Sequence, residues 1–204
     1  MIFVGRRGNE DSWRSFETDP TLRITKKRIY ERCVPCLSDL LKALKRSPHE
    51  VSLEIPMECW KLSVILPSYD DCMRLLELFS ELFPNEYVYG KFGTGDKKKP
   101  TKVVVFHLDQ NVERLKDIEP KVLSICSSLT VPFEIKTSRG CSHPYEVLFG
   151  PHEMWKKKMA VINWKRLEEV IQSLEKMLYG FEKVSEMANL GRTWNTPFSG
   201  EEGI

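Results

Sequence analysis

Trp60-Lys61-Leu62-Ser63-Val64-Ile65-Leu66-Pro67-Ser68 is the stretch on which the fold turns. Trp60, Leu62, Val64 and Leu66 alternate with other residues, the period of a strand with one buried face. Pro67 stops the strand. Ser68 or Asp70 can then cap a helix, because a short side-chain oxygen accepts from the free amides of a first turn. Met73, Leu75, Leu76, Leu78, Phe79, Leu82 and Phe83 give that helix one apolar side. Pro84-Asn85 turns the chain.

Working toward the C-terminus, Tyr87, Val88 and Tyr89 begin a second strand, and 90–100 form a loop rich in Gly and Lys. Residues 102–108 are a nearly continuous apolar run, as expected of a central strand. Asp109 or Asn111 can cap a helix through Val112, Leu115, Ile118, Val122, Leu123 and Cys126, with a break at Pro120. Val131, Phe133 and Ile135 alternate as a further strand, and Tyr145 to Phe149 reads as one more. The order strand, helix, strand, strand, helix, strand over 58–137 predicts an α+β fold with a ferredoxin-like (βαββαβ) core.

Outside that core, 1–20 read as a loose arm or an added edge strand. Ile29, Val34, Leu37, Leu41 and Leu44 have helical spacing within 22–46. Pro35 places a helix start near itself, with a shorter basic helix before it. Val51, Leu53 and Ile55 alternate as a short strand. A long C-terminal helix is expected from Asn163 to about Leu190, followed by a mobile tail. The chain is thus read as an N-terminal arm and helical extension (1–57), the α+β core (58–150), and a C-terminal helix with tail (151–204).

Composition narrows the function classes. The 204 residues carry a formal net charge of only +2, so any basic surface must be local. No continuous apolar window reaches the roughly 18 residues of a spanning helix, so no membrane partner is expected. The start has a short apolar run followed by charge, the wrong order for a secretory signal. The expected location is cytoplasmic, where the six cysteines would be mostly free thiols. Nothing in the sequence asks for a cofactor.

A nucleic-acid surface is the first functional expectation. An antiparallel sheet with helices on one face can leave the other open, and single strands bind such faces through aromatic platforms and cations. Tyr87 and Tyr89 are the candidate platforms. Lys91, Lys97, Lys98, Lys99, Lys102 and Arg139 are the candidate phosphate contacts. RNA or single-stranded DNA is the expected partner. A hairpin charge run also keeps a sheet edge soluble, which is the plainer role.

Two enzyme readings, a metal reading and an interaction reading stand beside it. Cys33-Val34-Pro35-Cys36 resembles the thioredoxin-type dithiol motif over those four residues. The resemblance implies that Cys33 attacks, activated by a helix N-terminus, and that Cys36 resolves. Cys33 and Cys36 could instead join Cys141 and His143 as zinc ligands. The loop holding Arg139, His143 and Glu146 offers an anion contact, a proton carrier near neutral pH and an orienting carboxylate. Finally, the stripe Leu167, Leu174 and Phe181 could pair with its copy in a homodimer.

Overall fold

The computed structural model describes residues 1–5, 13–20, 22–93, 101–109, 111–189 and 202–203. Its elements in chain order are β1 (Phe3–Val4), β2 (Arg14–Glu17), α1 (Arg23–Arg28), a π-helical turn (Ile29–Cys33), α2 (Val34–Arg46), β3 (Val51–Ser52), α3 (Glu54–Met57), β4 (Trp60–Leu66), α4 (Tyr69–Leu82), β5 (Tyr89–Gly93), β6 (Lys102–Asp109), α5 (Val112–Ser128), β7 (Glu134–Arg139), α6 (Ser142–Phe149), β8 (Lys158–Met159), α7 (Leu167–Asn189) and β9 (Glu202–Gly203). The fold is mixed α+β with a mostly antiparallel sheet. Two compact units share the chain: the first holds Met1–Lys26, Trp60–Thr137 and the C-terminal segment, the second Lys27–Cys59 and Ser138–Thr193.

The first unit is built on the main sheet, with strand order β7-β4-β6-β5-β2-β1-β9. Leu62, Val64 and Leu66 of β4 bury the side expected from their alternation. They meet Val104, Phe106 and Leu108 of β6 and the apolar faces of α4 and α5 in one core. Ser68 caps α4 by accepting from the Asp71 amide, and Asn111 caps α5 by accepting from the Glu113 and Arg114 amides.

Several expectations are corrected here. The second strand is Tyr89–Gly93, so residues assigned to a loop belong to the sheet. Gly90 makes this possible. A Cβ there would lie 1.9 Å from the Val105 carbonyl oxygen and 2.8 Å from the Phe16 ring, which covers the site from β2. Of the two expectations for 1–20, the added strand holds in the described parts and the loose arm does not: β2 pairs with β5, and β1 with β2. α5 runs through Pro120 without a break. Pro120 and Lys116 are both exposed, so the carbonyl that proline leaves without a helical partner can reach water. The fourth strand of the expected core starts at Glu134 rather than Val131.

The second unit is mainly helical. Leu37, Leu40 and Leu44 of α2 pack with Leu148 and Phe149 of α6 and Val170 and Leu174 of α7. Tyr145 to Phe149 is helix, not strand. Tyr145, Leu148 and Phe149 are all buried at helical spacing, a pattern too short to separate from alternation by eye. The strand expected over 51–55 ends at Ser52, where β3 pairs with β8, and α3 follows. Gly140 adopts a φ of +61°, and a Cβ on it would lie 2.8 Å from the Pro56 Cβ. α7's apolar stripe is used inside this unit, through Val170, Leu174 and the edge contact of Phe181 with Tyr30.

Candidate functional site

β5 positions Tyr89 and Lys91, and Tyr87 lies two residues before it. Phe92 enters the core, so by alternation Tyr89 and Lys91 lie on the opposite face. That face is less open at Tyr89 than alternation suggests. Tyr89 is only 6% exposed; its hydroxyl bonds to Asp109, and its ring lies 5.8 Å from His107. A base cannot stack on a ring so enclosed. Lys61, which alternation puts on the side of β4 opposite Leu62, is equally buried. Tyr87 is 44% exposed and stands 6.1 Å from Tyr89. Its hydroxyl donates toward Glu17 at 3.4 Å. Partial burial and the Glu17 charge push its pKa up, so it remains a neutral phenol.

A different aromatic is partly exposed. Trp13, directly before β2, is 37% exposed. Pairing of Arg14 with Phe92 sets Trp13 beside the end of β5. The Lys91 ammonium lies 4.3 Å from the centroid of the Trp13 ring, well within cation–π range. Lys102 begins β6 on the other side of the hairpin, opposite Leu66. Lys97, Lys98 and Lys99 lie outside the described residues. Arg139 belongs to the second unit, where burial lowers its pKa and Glu153 opposes that shift. The structure therefore brings Lys91 to an aromatic that the sequence places in an irregular arm. The signal in the sequence is Trp13 and Phe16 flanking a short polar pair.

The cysteine readings meet a different geometry. Cys33 and Cys36 flank the first residues of α2, but that start is not a free helix end. α1, the π-helical turn and α2 are continuous, and the Val34 amide donates to the Ile29 carbonyl. The amides that would lower a thiol pKa at a helix start are already in use. Cys36 is buried, with its sulfur 3.1 Å from the Tyr145 hydroxyl. All six cysteines are thiols rather than disulfides. Among the described residues no group of three or more His, Cys, Asp or Glu side chains could hold a metal ion, so Cys33, Cys36, Cys141 and His143 do not converge. His143 and Glu146 both lie on α6.

Two buried groups escape a reading of the sequence. Glu17 accepts from the amides of Ile24 and Thr25 and from the Thr25 hydroxyl. Arg28 donates to the Cys59 sulfur at 2.8 Å. Both pairings join separate elements, which no local pattern announces.

Comparison with known proteins adds no identity: no family model, no curated protein and no solved structure matches the chain. No helix among the described residues is long and apolar enough to cross a membrane.

Proposed function

We propose that this protein binds single-stranded nucleic acid, RNA or DNA, at the β5–β6 hairpin and the start of β2. One observation carries the reading: a lysine ammonium stacked on a half-exposed tryptophan, Lys91 on Trp13, beside a segment containing Lys97, Lys98 and Lys99. The open side of the indole offers a stacking surface for a base, while the ammonium neutralises a neighbouring phosphate. Lys102 adds positive charge at the start of β6, and the sequence between β5 and β6 contributes three consecutive lysines. Tyr87 can supply a second ring, and Tyr89 supports it from beneath through their contact.

In this reading the first unit carries a ferredoxin-like core. The neighbour order β7-β4-β6-β5, with α4 and α5 joining strands that are not adjacent, supports it. Such cores host many functions, so the fold adds no weight to the choice of ligand. A cytoplasmic setting suits the reduced thiols.

The test is a fluorescence-anisotropy titration with mixed-sequence single-stranded RNA and DNA at two salt concentrations. Salt-sensitive binding is expected, and Trp13→Ala should weaken it by roughly fivefold or more, the worth of one stacked base. Absence of binding at low salt overturns the proposal.

A further inference from the structure

The second unit contains a cavity of about 160 Å³ that neither the nucleic-acid proposal nor the dithiol motif accounts for. Leu40 and Ala43 of α2, Val51 of β3 and Ile55 and Pro56 of α3 form apolar wall; the polar lining is the buried Cys36 and Tyr145 and the exposed Asp39 and Ser52. Ile55 is 51% exposed, which places an opening to solvent at that side.

Tyr145 determines what the polar end can recognise. It is 2% exposed, and its hydroxyl meets two atoms of Cys36: the sulfur at 3.1 Å and the carbonyl oxygen at 3.5 Å. Sulfur is a weak hydrogen-bond partner, and the longer contact is at the outer limit for an O–H donor. The O–H is therefore poorly used for so buried a group. Burial, with the Cys36 sulfur next in importance, drives the phenol pKa far above its usual range, so the hydroxyl keeps its proton and remains a donor. A ligand atom that improves on sulfur must be an acceptor.

Size and charge limit the rest. Engineered apolar cavities of about 150 Å³ hold a benzene-sized molecule. Among the described residues lining the cavity there is no Lys, Arg or His, which leaves an anion without a counter-charge, and the one carboxylate, Asp39, is exposed and paired with Lys42 at 3.4 Å, which leaves a cation little to gain. We infer that this cavity is a binding site for a small, neutral, single-ring-sized molecule carrying one carbonyl-type oxygen, which the Tyr145 hydroxyl engages. The site lies wholly within the second unit and is independent of the hairpin proposal.

Full-length protein titrated with cyclohexanone, and separately with cyclohexane, tests this by amide chemical shifts in heteronuclear NMR. Saturable shifts are expected around Cys36, Ala43 and Tyr145, with cyclohexanone the tighter ligand. Tyr145→Phe removes only the hydroxyl and should weaken cyclohexanone roughly three- to tenfold while leaving cyclohexane unchanged. Ala43→Leu fills the cavity and should abolish both. If that variant loses its dispersed spectrum, the wild-type preference and Tyr145→Phe decide alone. Lack of saturable shifts in the wild type, or equal cyclohexanone affinity in Tyr145→Phe, overturns the inference.

Discussion

The wholly buried Glu17 carboxylate accepts both the amide and the hydroxyl of Thr25, at 2.9 and 3.0 Å. These bonds favour the charged form, yet burial outweighs them and Glu17 has a raised pKa. Between the ordinary carboxylate value and that raised value, the folded chain binds more protons than the unfolded one. Stability from this group therefore falls as pH rises through the window. Urea midpoints measured from mildly acidic to neutral pH should show that decline, and Glu17→Gln should flatten it. An identical slope in the variant would remove Glu17 as its source.

Glu86 has the opposite sign. Lys121 first, and then Arg114, lowers its pKa by hydrogen bonding. Its contribution is complete above the ordinary carboxylate value and is lost as pH falls through the lowered one. The Arg114 side chain also bonds the Tyr87 carbonyl, so the cluster ties the entry to β5 onto α5. Glu86→Gln should cost about 1 kcal/mol at neutral pH and less in high salt. Denaturant curves at two ionic strengths check both parts.

Gly90 is expected to tolerate no side chain. In Gly90→Ala the new methyl meets the Val105 carbonyl and the Phe16 ring, so strand and ring must both move. A loss of about 3 kcal/mol is expected, at the upper end of overpacking costs. Thermal unfolding that matches the wild type would show that the β2–β5 pairing gives way easily.

Thiol reactivity should sort the cysteines by position. Burial pushes the Cys72 thiol up to about 12 and the Cys126 thiol up to about 11, and both are fully enclosed. Cys33 and Cys141 are partly exposed. Iodoacetamide at neutral pH followed by mass spectrometry should label Cys33 and Cys141 first. Cys72 and Cys126 should react only after denaturation. Early labelling of Cys72 would contradict its enclosure.

Salt dependence should report on Lys97, Lys98 and Lys99. Replacing all three by Ala should weaken RNA binding and reduce the slope of log affinity against log salt. For a single strand the reduction is about 0.7 for each phosphate that a lysine no longer neutralises. An unchanged slope would take these lysines out of the binding surface and leave Trp13 and Lys91 to carry it.

By itself the sequence determined the features that depend on near neighbours. Alternation in Leu62, Val64 and Leu66 and helical spacing in Leu75, Leu76 and Phe79 identified β4 and α4, because a periodic stripe can be buried only by the matching backbone geometry. Ser68 and Asn111 marked helix starts for the equally local reason that their oxygens reach amides two or three residues on. Tertiary structure decided which side chains remained open for function. Tyr89 alternates correctly but is enclosed by Asp109 and His107, whereas Trp13 becomes a surface through the pairing of β2 with β5. Pro35 correctly marked the first turn of a helix, since α2 begins at Val34, but only the structure shows a π-helical turn running into that start, with the Val34 amide donating to the Ile29 carbonyl. Burial and pairing of this kind depend on residues distant in the chain, and Cys36 meets Tyr145 only when α6 packs against α2.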